Sequence, residues 1–225
     1  MKDAPETSRA GVHADALGTN QSGMRAQNER LVLTLIRRHG ALAKSEIARL
    51  TGLSAQTVSV IMRALEDERL ILRGEPQRGR VGQPSVPMKL NPRGAFFHGL
   101  KIGRRSVQMV LTDFLGTILA SRVRQHDYPD YDAVLGFALE TATDLLGALS
   151  KDERTRVEGL GIAMPFEIWG WAAMLGVTPE AMTPWKQRDI RKELSEGLSV
   201  PVFLQNDATA ACSAELVFGT HEQPS

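Results

Sequence analysis

Gln56, Thr57, Ser59 and Arg63 lie within two turns of one another if the chain there is helical. All four can donate hydrogen bonds and three can also accept them, which is the chemistry needed to read base edges in the major groove of DNA. Ser and Thr are small enough to permit close approach. Downstream, Arg78, Arg80 and Gln83 fall in the Gly/Arg-rich stretch that runs from Arg73 to Pro84. Guanidinium groups at such a tip suit phosphate contacts or entry into a minor groove. Taken singly, the first group also suits a solvated helix face, and the second a loop kept soluble by its arginines. The elements that carry these residues must decide between the readings.

The pattern becomes helical from Gln27, where Val32, Leu35, Ile36 and His39 repeat at i, i+3, i+4 and i+7 and Gly40 supplies a stop. A second short helix is expected from Ser45 to Leu50, burying Ile47 and Leu50. Gly52 then permits the positive φ of a tight interhelical turn. Ser54 is a plausible N-cap for a third helix, in which Val58, Ile61, Met62 and Leu65 repeat the apolar spacing. Three short helices with a glycine turn between the second and third match a helix-turn-helix, and the third would carry Gln56, Thr57, Ser59 and Arg63 to the groove. Leu70 to Leu72 and the alternating Val86, Met88 and Leu90 predict two strands around the Gly/Arg tip, the wing of a winged helix. Residues 1–24 read as a flexible arm, 25–90 as the winged helix-turn-helix and Asn91 to Gly94 as a linker.

Charge agrees with that division. The 225 residues carry 27 Lys plus Arg against 26 Asp plus Glu, a net of +1. Residues 25–93 hold thirteen bases and six acids, a net of +7, whereas residues 94–225 hold twelve bases and seventeen acids, a net of −5. A basic block joined to an acidic remainder suggests an anion-binding module on a carrier of another kind, and double-stranded DNA is the partner to expect. No run of 18 apolar residues exists to cross a bilayer. The start lacks the apolar stretch of a secretory signal and the single Cys212 excludes an internal disulfide, so a cytoplasmic location is expected. With one Cys and five scattered His, no metal site and no cofactor is expected.

From Ala95 the signals alternate between strand and helix. Phe96 to Ile102 reads as a strand, Val107, Met109 and Leu111 alternate with polar residues in a second, and Thr117 to Val123 returns as a third, with Asp113 to Gly116 as a turn. A helix from Tyr131 to Leu149 follows, then an apolar strand, Val157 to Ala163, leading into a loop that contains Glu167, Trp169 and Trp171. Helix 189–196, strand 200–204 and helix 208–218 complete the pattern. The expected class is α/β: a winged helix-turn-helix followed by a partial actin-like domain over residues 95–225.

Lys44-Ser45-Glu46-Ile47-Ala48, Gly52-Leu53-Ser54, the Gly-Arg-Val-Gly-Gln-Pro stretch at 79–84, Leu111 to Gly116, Gly159 to Pro165 and Gln205-Asn206-Asp207-Ala208 occur in an order and spacing that resemble the ROK (repressor, open reading frame, kinase) family. The likeness covers about residues 27–220 and is greatest to that family's sugar-responsive repressors. It implies a DNA-binding regulator, a repressor of carbohydrate-utilisation genes, that responds to a sugar; binding to paired half-sites would further imply a homodimer. It also implies that Asn206 and Asp207 lie where family members contact the sugar; Glu167, Trp169 and Trp171, in a loop after a strand's C-terminus where ligands usually sit, are further candidates to line that cleft. A carboxylate and an amide suit vicinal hydroxyls. Either residue also suits simple capping of the following helix, and paired tryptophans suit core packing.

Two departures qualify the resemblance. Family kinases end the first strand in an Asp-x-Gly-Gly-Thr-like loop that holds ATP phosphates and helps organise the metal, whereas this chain has Lys101-Ile102-Gly103-Arg104-Arg105-Ser106. Lysine cannot ligate Mg²⁺ as a carboxylate does, so no kinase activity is expected, although a sugar kinase with Asp207 as base is the enzymatic alternative. The chain also stops before the zinc motif and second lobe that the resemblance implies. It is therefore expected to be truncated, with an incomplete sugar cleft and an exposed apolar face. A non-inducible or dominant-negative fragment that pairs with a relative is the remaining alternative.

Overall fold

The computed structural model describes residues 13–76 and 86–219. The chain divides into two compact units, Met1–Asn91 and Pro92–Ser225.

In the first unit, helix α1 spans His13–His39, α2 Lys44–Thr51 and α3 Ala55–Asp67, followed by strands β1, Ile71–Arg73, and β2, Met88–Leu90. Helix α1 starts well before Gln27, so residues 13–24, assigned to an arm by composition, are helical. Extending a helix from a packed segment costs far less than nucleating one, and the buried Val32 and Ile36 supply that segment. Helix α2 closes where the Gly52 N–H donates to the Ala48 carbonyl at 2.9 Å, with Gly52 at φ +70°. Only Ile47 of α2 is buried. Leu50 is 41% exposed and His39 is exposed, so neither joins the core as its spacing suggests.

The apolar stripe of α3 is buried at all four expected positions, Val58, Ile61, Met62 and Leu65. Strands β1 and β2 pair antiparallel, with Ile71 opposite Leu90 and Arg73 opposite Met88. Leu42 and Met88 exchange both backbone hydrogen bonds, at 3.0 and 2.8 Å, and so tie the α1–α2 connection to the hairpin stem. The Arg73 guanidinium donates twice to the Glu66 carboxylate, at 2.6 and 3.1 Å, which anchors the stem to α3.

The second unit is built on a five-stranded sheet: β3 (Phe96–Ile102), β4 (Ser106–Asp113), β5 (Ile118–Gln125), β6 (Val157–Met164) and β7 (Val202–Asn206), in the order β5-β4-β3-β6-β7. The first three form an antiparallel meander, and β6 and β7 run parallel to β3 and to each other. Helices α4 (Tyr131–Leu145), α5 (Ile190–Leu198) and α6 (Asp207–Phe218) complete it, with short helical turns between β6 and α5.

Period-two alternation buries Phe96, Leu100 and Ile102 with Met109, Leu111, Leu160 and Ile162, in one core with Val134, Phe137, Ala138 and Leu145 of α4. Phe203 of β7 is 69% exposed, and Leu216, Val217 and Phe218 of α6 are exposed as well.

Arg188 joins α4 to α5. It donates to Asp132 at 2.7 Å and to both Glu193 oxygens, at 3.0 and 2.6 Å, and its guanidinium lies 4.1 Å from the centre of the Tyr131 ring. The Tyr131 hydroxyl also donates to Glu193, at 3.0 Å. Burial, then the neighbouring carboxylate, push the Tyr131 phenol above its ordinary range, while Arg188 holds Glu193 below the usual carboxylate range.

Candidate functional site

On α3, burial of Val58, Ile61, Met62 and Leu65 turns Gln56, Val60 and Arg63 outward. All three are exposed, at the i, i+4 and i+7 spacing of one helical stripe. Ser59 is half-buried beside that stripe. Thr57 is also half-buried; its N–H donates to Ser54 Oγ at 3.1 Å and the two hydroxyl oxygens lie 2.8 Å apart. Thr57 is thus first a partner of the helix cap.

Val60 is a position that the sequence reading passed over. It is 56% exposed in the middle of the polar stripe, and its signal was available: an apolar residue off the core spacing of its own helix. Beside it, Met24, Arg25 and Asn28 of α1 and Gln56, Thr57, Val60 and Ile61 of α3 line a groove of about 380 Å³. Glu29 accepts a hydrogen bond from Arg25 Nε at 2.8 Å and orients that guanidinium. Arg78, Arg80 and Gln83 lie outside the described residues, although β1 and β2, which lead to them, are in place.

In the second unit, Asn206 is the N-cap of α6, its Oδ1 accepting from the N–H groups of Ala208 at 3.0 Å and Thr209 at 3.3 Å. Asp207 Oδ1 accepts from the Ala208 N–H at 2.9 Å. Capping therefore uses one oxygen of each side chain and does not engage the Asn206 amide N–H groups or Asp207 Oδ2. Asp207 lines a recess of about 350 Å³ with Gly103, Arg104, Pro165, Trp171 and Met174, at the carboxyl ends of the parallel strands, where α/β sheets usually hold ligands.

Glu167 is not in that recess. It occupies the left-handed region at φ +58° and lines a neighbouring recess of about 260 Å³ with Trp169, Trp185 and Arg188, and Pro165 borders both. The two loop tryptophans separate accordingly, Trp169 beside Glu167 and Trp171 beside Asp207. Ile168, fully buried between Glu167 and Trp169, anchors the turn.

At the tip of the β3–β4 hairpin the Gly103 N–H donates to the Ser106 carbonyl at 2.9 Å, so Arg104 and Arg105 form a two-residue turn. Arg105 donates to the Asp127 carbonyl, whereas Arg104 Nη1 lies 3.4 Å from Met174 Sδ. Among the described residues no group of three or more His, Cys, Asp and Glu is placed to hold a metal ion, and no helix is long and apolar enough to cross a membrane.

Comparison with known proteins places both units. Residues 97–225 match the ROK family and residues 25–71 match a winged helix-turn-helix DNA-binding family. An uncharacterized protein of Sinorhizobium fredii is 28% identical over 191 residues, 85% of this chain and 48% of that protein. The xylose repressor of Bacillus subtilis is 23% identical over 200 residues, 89% of this chain and 51% of the repressor. A crystal structure described as a ROK family transcriptional regulator, homologous to the E. coli MLC protein, superposes with a TM-score of 0.62 at 22% identity, over 87% of this chain and 49% of that one. The chain spans about half the length of these relatives.

Proposed function

Starting from a chain that belongs to the ROK family and carries a winged helix-turn-helix ahead of its ROK segment, we propose that the protein is a sugar-responsive, DNA-binding transcriptional regulator of the repressor type. The observation that carries this reading is the outward stripe of α3, Gln56, Val60 and Arg63, on a helix whose other face is fully committed to the core. Gln and Arg supply bidentate partners for adenine and guanine, and an exposed valine suits a thymine methyl group. Thr57 and Ser59 border the stripe. The arginines at 78 and 80, with Gln83, would add phosphate or minor-groove contacts from the wing. The regulator would act as a homodimer on paired half-sites, since single modules of this size bury little DNA surface.

The effector would be a sugar held at Asp207 and Asn206, with Trp171 as its apolar wall; Glu167 would act from the adjoining recess. A sugar kinase is the weaker reading. The hairpin tip offers Lys101 and two arginines where a kinase needs an acid for Mg²⁺ and glycines for phosphate.

Selection from random double-stranded DNA tests the proposal. The protein is expected to enrich one sequence, and Arg63→Ala to weaken its binding and relax preference at one base pair. Enrichment of nothing at low salt would overturn the reading.

A further inference from the structure

Val32 and Ile36 tie the middle of α1 to the core, whereas the turns before them border a different surface. Met24, Arg25 and Asn28 stand across a groove of about 380 Å³ from Gln56 and Val60 of α3, with the buried Ile61 in its lining. Gln56 and Val60 also belong to the outward stripe of α3, so groove and stripe form one continuous surface. Residues 25–93 carry a net charge of +7, which suits an anion on that surface.

An α-helix with its side chains is about 10–12 Å across and the major groove of B-DNA about 12 Å wide, so a docked α3 fills the groove. A second helix beside its outward face finds no room among the base edges and meets the sugar–phosphate strand that borders them. Arg25 is exposed there. Its Nε donates to Glu29 Oε1 at 2.8 Å, four residues on along the same helix face. That bond orients the side chain without engaging either Nη, and among the described residues the guanidinium has no other partner. Nη1 and Nη2 thus remain as a fork that matches phosphate oxygens. Asn28, three residues on, is half-buried in the wall of the groove, and its amide has no hydrogen-bond partner among the described residues.

We propose that α1 is a second DNA-contacting element, in which Arg25 and the Asn28 amide hold a backbone phosphate of the strand bordering the groove that α3 reads, with the deoxyribose against Met24. The inference rests on the DNA-binding reading above and adds a contact from a helix which that reading leaves unused. Phosphates are alike at every base pair, so the contact sets the register and tilt of α3 and carries no sequence information of its own.

The test is a titration of the full chain, by fluorescence anisotropy at several salt concentrations, with the duplex it selects from random DNA and with a scrambled duplex. Arg25→Gln should make the slope of log affinity against log salt shallower by about 0.9. It should weaken binding to both duplexes by the same factor, about tenfold. Asn28→Ala should weaken both alike at an unchanged slope, since an amide displaces no counter-ion. Arg30→Gln, which removes an exposed arginine of α1 outside the groove, should leave slope and affinity as in wild type. If Arg30→Gln flattens the slope as much as Arg25→Gln does, the effect is one of overall charge and the proposal falls. If Arg25→Gln keeps the wild-type slope or binds more tightly, α1 does not hold the backbone, and the proposal falls while the regulator reading stands. Loss confined to the selected duplex would assign Arg25 to a base and overturn the phosphate contact. If wild type binds neither duplex at low salt, both readings fall.

Discussion

Ser54 Oγ and Thr57 Oγ1 lie 2.8 Å apart, and the same serine oxygen accepts the Thr57 N–H at 3.1 Å. The cap that starts α3 thus also fixes the rotamer of a residue at the edge of its outward stripe. Ser54→Ala should destabilise the protein by about 1 kcal/mol in chemical denaturation. It should also weaken DNA binding by more than the unfolded fraction accounts for, because Thr57 loses its partner. Ser54→Asp, which can still cap, should recover the stability.

Gly52 sets the turn between α2 and α3 at φ +70°, and a methyl group added there would meet nothing within 4 Å. The cost of substitution is therefore conformational and not steric. Gly52→Ala should cost about 1 kcal/mol, read as a lower denaturation midpoint at unchanged slope, while Gly52→Asn, which tolerates the left-handed region, should cost less.

Trp185 Nε1 donates to the Pro129 carbonyl at 2.7 Å from a buried position, and its ring meets Tyr131 edge-on with 4.8 Å between centroids. Trp185→Phe keeps much of the packing but leaves the carbonyl without its donor. A loss of about 1–3 kcal/mol is expected in denaturation of the full chain.

The pH dependence should have two phases. Burial lowers the pKa of His98 from 6.5, and its Nδ1 has no hydrogen-bond partner; His126 is lowered in the same direction by burial. The unfolded chain then binds more protons than the folded one just below pH 6.5, so stability is full above that value and declines as the pH falls through the depressed pKa values. Glu153 is held at about 2 by the Arg93 guanidinium and the Ser150 N–H. Its contribution is present above its ordinary 4.5 and is lost as the pH falls toward 2. Denaturation midpoints measured from pH 8 to 3 should show both declines, and His98→Leu should flatten the upper one.

Much of this architecture was legible because it rests on local spacing. Val58, Ile61, Met62 and Leu65 announce α3 and its buried face, and the alternation in Phe96–Ile102 announces β3. Leu50 and His39 were misread because a short or terminal helical turn can satisfy its spacing without a neighbour to bury against. The start of α1 at His13 gave no apolar signal, since that part of the helix extends from a packed segment. The turns from Ile168 to Gln187 are too short for any period to show. The separation of Glu167 from Asp207 into adjoining recesses is set by the tertiary course of the turn around the buried Ile168, which no spacing rule encodes.

Binding of the full chain to its selected operator, followed by fluorescence anisotropy at several salt concentrations, tests the central claim most directly. Each phosphate neutralised by Arg or Lys should contribute about −0.9 to the slope of log affinity against log salt. Wild type should bind the operator far more tightly than scrambled DNA. Arg78→Ala with Arg80→Ala should flatten the slope while keeping the preference, and Val60→Ser should reduce the preference while keeping the slope. Equal affinity for operator and scrambled DNA, or variants that match wild type in both slope and preference, would contradict the account.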